Sequence, residues 1–213
     1  MSFNGADFQA ALIHELKNEL GLLTLALDRI PRSDAAHDEA LDGAQLLCQR
    51  VTSRLQQALL IYKSASQPIH PNVDAWSPAD IGGEIAAHAR ALAHGRLSVE
   101  VALSPDLPDV WFFDRDLVEM ALTNAVHNSL AHAHTKMVIQ AGMVYGYLAF
   151  TESDDSSGYP DAVLNGHVIG KASGTGLGLQ FARLIAASHD NQGRRGELLL
   201  ANDGGAVFSL LLP

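Results

Sequence analysis

The 213-residue chain is poor in cysteine, in basic charge and in long apolar runs, and each shortage closes off a class of protein. Its single cysteine, Cys48, cannot form an internal disulfide, which fits a reducing compartment. Lys and Arg number 14 against 24 Asp and Glu, a net charge of −10 that disfavours both nucleic acid and anionic membrane as partners. No run approaches the roughly 20 apolar residues that span a bilayer. Met1 to Leu12 contains Asp7 and no basic start, so neither membrane insertion nor a signal peptide is expected, and the expected location is cytoplasmic. Internal repeats and low-complexity tracts are absent too. What is present is an apolar content of 47%, enough for one or two compact domains.

The first pattern is helical. Leu12, Leu16, Leu20, Leu23, Leu27 and Ile30 recur at steps of four or three, giving a helix from about Asp7 to Ile30, which Pro31 stops. His14 lies off that apolar face, on a polar stripe with Lys17, Asn18 and Gly21. His14-Glu15 begins the pattern in which two histidines four apart bind zinc, but position 18 is Asn and the second ligand is missing. By itself, a histidine on the open face of an amphipathic helix is ordinary. A second helix, about Asp34 to Lys63, carries Leu41, Ala44, Cys48, Val51, Leu55, Ala58 and Tyr62 at alternating steps of three and four, with Cys48 on the packing seam. Two such helices cannot bury both apolar faces against each other, whereas two hairpins can, so a homodimeric four-helix bundle is predicted.

Pro68 and Pro71 mark a linker, dividing the chain into residues 1–67, a linker 68–76 and a second domain 77–213. Ser77-Pro78 is a cap followed by proline in the first turn, with Asp80 near the positive end of the helix dipole, and the helix is expected to reach about Ala93. Leu97–Leu103 alternates as a half-buried strand, and Val110–Phe113 reads as another. Asp114 caps a helix bearing Leu117, Val118, Ala121, Leu122, Ala125, Val126 and Leu130. A hairpin of Lys136–Val144 and Tyr147–Thr151 follows, turning at Tyr145-Gly146. A helix over Leu177–Ser188 and a hairpin around Asp203-Gly204-Gly205 close the chain. The predicted class is α+β: a helical hairpin followed by an α/β sandwich of one helical layer on one sheet.

Three clusters in the second domain are candidates to carry chemistry. Asn124 and Asn128, four apart, share a helix face, and an amide oxygen can complete the shell of a Mg²⁺ ion otherwise held by phosphates and water. Two surface amides are equally ordinary. Asp154-Asp155-Ser156-Ser157-Gly158 follows a strand and alone is a polar turn. Gly174-Thr175-Gly176-Leu177-Gly178-Leu179 opens a helix, where glycines admit a polyphosphate and unpaired amides bind its oxygens; Lys171 just before it is placed to offset phosphate charge or simply to meet solvent. The run does not fit the dinucleotide fingerprint, which needs a preceding strand and a parallel crossover.

Taken in order, these stretches resemble the transmitter of sensor histidine kinases. His14-Glu15-Leu16-Lys17-Asn18 resembles the phosphoacceptor box, with Glu19 where that box usually has Pro. Leu122-Thr123-Asn124 to His132 resembles the N box, Asp154 to Gly158 the first glycine box, and Gly174 to Leu179 the second. The resemblance implies a dimerisation and phosphotransfer bundle joined to a Bergerat-type ATP-binding domain. It implies ATP and Mg²⁺ as cofactors, Asn128 as the metal residue and Asp154 as the acceptor of the adenine amino group, with Asn124, Gly158, Lys171 and Gly174, Thr175, Gly176, Leu177, Gly178 and Leu179 around the nucleotide. His14 would accept the γ-phosphoryl group with Glu15 holding its proton, then pass it to an aspartate of a response regulator receiver domain. Asn18 would position water in a phosphatase reaction. Departures are Ala131 in place of a frequent basic residue, Ser156 in place of the first glycine, about a dozen residues between Pro160 and Gly174, and only thirteen residues before His14. The last implies input from a separate sensory protein, if any. These departures favour an alternative, a dimeric histidine phosphotransfer protein that no longer uses ATP. A folding or repair ATPase of the same superfamily would leave the His14 hairpin unexplained.

Overall fold

The computed structural model describes residues 16, 18, 20–27, 29, 30, 35–64, 67–165 and 177–213. It divides into two compact units, Met1–Ser66 and Gln67–Pro213.

In the first unit, α1 is helical at the described residues 16, 18 and 20–27, and α2 spans Ala35–Ser64. Of the expected seam, Leu41 and Cys48 are buried whereas Val51 is exposed, and Cys48 is a free thiol. Leu16, Leu20 and Leu23 of α1 line, with Val51 and Leu55 of α2, an apolar groove of about 360 Å³. Leu22, Leu25 and Leu47 stay exposed at 68, 55 and 59%, so each helix carries more apolar surface than the pair can cover.

The second unit is a helical layer on a five-stranded sheet. Its elements are β1 (Asp74–Trp76), α3 (Pro78–Ala93), β2 (Ser98–Leu103), β3 (Trp111–Phe113), α4 (Arg115–His132), β4 (Lys136–Val144), β5 (Tyr147–Asp154), α5 (Asp161–Leu164), α6 (Leu177–Ser188), β6 (Asp190–Asn191), β7 (Arg194–Arg195), β8 (Glu197–Asn202) and β9 (Ala206–Leu212). The main sheet runs β2-β4-β5-β9-β8, parallel between β2 and β4 and antiparallel elsewhere. Helix α3 packs on β2 and β4, α4 on β5, and α6 on β8 and β9. The alternating apolar residues meet those helices: Met137, Leu148, Phe150, Phe208 and Leu210 are fully buried, and Phe113 meets Phe150 edge to face at 6.0 Å.

Caps set the helices. The Ser77 hydroxyl accepts from Asp80 N, and Asp114 accepts from Leu117 N through Oδ1 at 3.0 Å. The other oxygen of Asp114 accepts from Asn72 N at 2.7 Å, tying the segment before β1 to the start of α4. His189, just past α6, accepts from Asp114 N through Nε2 at 3.0 Å, which leaves the proton on Nδ1 to donate to Ile185 O at 2.8 Å.

Three differences from the sequence expectation have physical reasons. Strand β1 lies inside the stretch read as linker; it is three residues long and exists through antiparallel pairing with β3, a partner 37 positions on that local pattern does not reveal. Strand β5 continues past Thr151 to Asp154 through its pairing with β4, which the sequence pattern hides because Glu152 puts a polar group on the buried face. The β6–β7 hairpin turns at Gln192-Gly193, both at positive φ, a signal present in the sequence as Asn-Gln-Gly.

Candidate functional site

Asp154 closes β5 on the sheet face that α4 covers. Its Oδ2 accepts from the Ser129 hydroxyl at 2.6 Å, and its Oδ1 accepts from Ser156 N at 2.9 Å and Ala206 N at 3.1 Å. Burial pushes the carboxyl up, but the Ser129 and Ser156 hydrogen bonds and the Ala206 amide outweigh it and hold Asp154 below the ordinary carboxylate range. It is therefore an anchored carboxylate, able only to accept. Asp155 does a different job: its carboxylate takes the Thr135 hydroxyl at 2.6 Å together with the amides of Thr135 and His134, pinning the end of β5 to the loop after α4.

The backbone around Asp154 requires glycine at two places. Gly158 sits at φ +82°, and a Cβ there would lie 2.6 Å from Asn202 Oδ1. A Cβ on Gly205 would lie 1.9 Å from Asp154 O, so the β8–β9 turn reaches Asp154 only because residue 205 has no side chain. Ser156, by contrast, does not take a positive φ, and its hydroxyl accepts from Gly158 N at 3.1 Å; glycine is not needed there.

Asn124 and Asn128 differ more than their spacing suggests. Asn124 is buried, and a Cβ on Gly178 would lie 2.5 Å from its Oδ1, so the start of α6 packs directly on this amide. Asn128, one turn on, is exposed. Leu177 begins α6, and Gly178 and Leu179 lie in its first turn, half buried. Lys171, Gly174, Thr175 and Gly176 lie outside the described residues, as do His14 and Glu15. Asn18 is helical and exposed. Helix α4 thus meets Asp154 through Ser129 and Gly178 through Asn124, while Gly158 lies against Asn202 at the end of β8.

Sequence reasoning missed five participants. Ser129 interrupts the apolar series Leu122, Ala125, Val126 on α4, and that interruption was a readable signal. Glu152 interrupts the series on β5 in the same way. Asn202, Gly205 and Ala206 come from the terminal hairpin and are brought in only by the pairing of β9 with β5.

An ATP-type ligand fits these residues in one observable respect: the carboxylate is ionised and fixed where a base amino group could donate to it. For a divalent cation the exposed Asn128 supplies one neutral oxygen donor, and the described residues contain no cluster of His, Cys, Asp or Glu that would hold a metal unaided.

No protein-family model matches the chain. Nitrogen regulation protein NtrY of Azorhizobium caulinodans is 24% identical over 201 residues, covering 86% of this chain and 26% of that protein. Full-length ShkA, solved in complex with AMPPNP, superposes with a TM-score of 0.68 at 19% identity, over 96% of this chain and 44% of ShkA. The Acinetobacter baumannii histidine kinase AdeS gives 0.59 at 16% identity, over 96% of this chain and 94% of AdeS. The catalytic domain of histidine kinase ThkA gives 0.57 at 17%, over 67% of this chain and 97% of that domain. The chain spans about a quarter of the curated relative, at 26%, and less than half of ShkA, at 44%. It has the mixed α+β fold of these histidine kinases, and in sequence and structure it is similar to a sensor histidine kinase transmitter.

Proposed function

We propose that the chain is the transmitter of a two-component histidine kinase: the unit 67–213 binds ATP with Mg²⁺, and His14 of the helical hairpin is phosphorylated from it. The observation that carries the reading is Asp154, held as a carboxylate by Ser129, Ser156 and Ala206 at the end of a buried strand. An exposed polar turn has no use for three such bonds, whereas a base-reading acceptor does. That the ShkA neighbour is a complex with AMPPNP supports the same ligand class.

Asp154 accepts from the base amino group, Gly158 lets the chain pass close to the base, and Asn124 and Gly178 seat the helix whose first amides, with Gly174, Thr175, Gly176 and Lys171, receive the phosphates. Asn128 holds the metal through its amide oxygen. Bound Mg-ATP supplies the phosphoryl group and the charge that stabilises its transfer. His14 accepts that group on one ring nitrogen while Glu15 holds the proton on the other, and positioning does most of the remaining work. The phosphoryl group then passes to an aspartate of a receiver domain. Asn18, four residues after His14 in sequence and exposed, orients the water that hydrolyses the receiver's aspartyl phosphate in the phosphatase reaction.

Exposed Leu22, Leu25 and Leu47 support a homodimer through the hairpin, since a second copy covers in one step what α1 and α2 leave open. The test is phosphate incorporation from radiolabelled ATP. His14→Ala abolishes it while nucleotide binding persists; incorporation at the wild-type level in that variant contradicts the mechanism. The second reading, a phosphotransfer protein without ATP chemistry, draws on the exposed, uncharged Ala131. It predicts label on His14 from a phosphorylated receiver domain and none from ATP.

A further inference from the structure

Beneath Asp154 lies an acid that the fold does not need. Glu152 precedes it by two residues on β5, so both side chains point to the helix-covered face, in line with the fully buried Leu148 and Phe150. The alternation calls for an apolar group at this place. A carboxyl stands there instead, 3% exposed, and its Oε1 has no hydrogen-bond partner among the described residues. Its cross-strand neighbours, Ile139 on β4 and Phe208 on β9, are apolar. The polar groups facing it are the Ser129 hydroxyl from α4, the Asp154 carboxylate, and Tyr159, whose phenol burial and the fields of Glu152 and Asp154 push up. Burial, partly offset by Ser129 and reinforced by Asp154, raises the Glu152 carboxyl to about 8. Burial thus favours its protonated form, which has a proton to donate.

An orphaned buried oxygen costs about 1–3 kcal/mol and calls for an explanation. Ligand chemistry supplies one. Asp154, ionised, can serve only the amino group of adenine, and the ring nitrogen beside that amino group is an acceptor that a carboxylate cannot satisfy. Building on the reading of Asp154 as the amino acceptor, we propose that Glu152 is a specificity-determining residue of the same site, the hydrogen-bond donor that reads the purine ring nitrogen next to the amino group, directly or through one water. Asp154 and Glu152 together form an acceptor–donor pair that matches adenine. Guanine presents an N–H and a carbonyl in those places, and the pair opposes both.

The test pairs a change in the protein with a change in the ligand atom. The full chain, wild type, Glu152→Gln and Glu152→Leu, is titrated calorimetrically with ADP and with 1-deaza-ADP, in which that ring nitrogen is replaced by C–H. Wild type and Glu152→Gln, whose amide still donates, bind 1-deaza-ADP about tenfold more weakly than ADP. Glu152→Leu binds ADP about tenfold more weakly than wild type does and does not distinguish the two ligands. Its thermal midpoint, equal to or above that of wild type, shows that the fold is kept. Equal affinity of the wild type for both ligands overturns the proposal, as does undiminished discrimination in Glu152→Leu. Failure of the wild type to bind ADP at all is a different result: it overturns the nucleotide reading, and this proposal with it.

Discussion

The side chain of Asn202, at the end of β8, hydrogen-bonds both backbone groups of Tyr159: its Oδ1 accepts from Tyr159 N at 2.7 Å and its Nδ2 donates to Tyr159 O at 2.9 Å. This clamp fixes the chain just after Gly158, which lies four residues beyond Asp154 at the end of β5. The terminal hairpin, far off in sequence, therefore shapes the loop that follows Asp154.

Gly158→Ala meets two obstacles, a φ of +82° and the Asn202 amide 2.6 Å from the new Cβ. It should cost about 1–3 kcal/mol, read as a lower midpoint in denaturant unfolding. Asn202→Ala in the same chain removes the clash and leaves the φ strain, so the pair of substitutions should be less damaging than the sum of the two. Simple additivity would mean that the clamp does not press on Gly158.

Gly178→Ala places a methyl group on the Asn124 amide, 2.5 Å from Oδ1, and the first turn of α6 must move. Nucleotide affinity should fall by about tenfold, with recovery when Asn124 is also replaced by Ala. Titration of the single and double variants decides it; no recovery would place the effect elsewhere on α6.

Glu152 keeps its proton in the folded chain up to about pH 8, whereas the unfolded chain releases it near 4.5. Between those values the folded state binds more protons, so this group contributes stability that is complete below the lower value and is lost as pH rises through the higher one. Glu152→Gln should remove that slope. Unfolding midpoints of both proteins from about pH 5 to about pH 9 should therefore diverge, the variant gaining on wild type as pH rises.

His189 acts in the opposite sense. Burial lowers its value, and its Nε2 is already engaged as the acceptor of Asp114 N. Protonation is resisted in the folded state, so the contribution of His189 is complete above the ordinary histidine value of 6.5 and is lost as pH falls below it. His189→Ala should cost about 1–3 kcal/mol near neutral pH, by orphaning the Asp114 amide, and should make acid unfolding less steep.

Much of this unit was legible because its local signals are strong. Ser77-Pro78 and Asp114 are caps that announce their helices, and α3 and α6 run over the expected residues, Pro78–Ala93 and Leu177–Ser188. Tyr145-Gly146 takes two positive φ values, as a two-residue hairpin turn requires. Asp154 was legible as a residue but not as a network, because its partners Ser129 and Ala206 lie 25 and 52 positions away. Glu152 was hidden for a better reason: a buried acid contradicts the pattern from which strands are read, and such contradictions gather at sites of function. The expectations for His14, Glu15, Lys171 and the first three glycine-loop residues lie outside the described residues and stand as proposals.

Whether Asp154 anchors an ATP site is decided by calorimetric titration of the purified chain with ATP and Mg²⁺, beside Asp154→Ala. Saturable binding by the wild type and its loss in the variant are the expected results. No binding by the wild type at millimolar ATP, or equal binding by both proteins, would contradict that role.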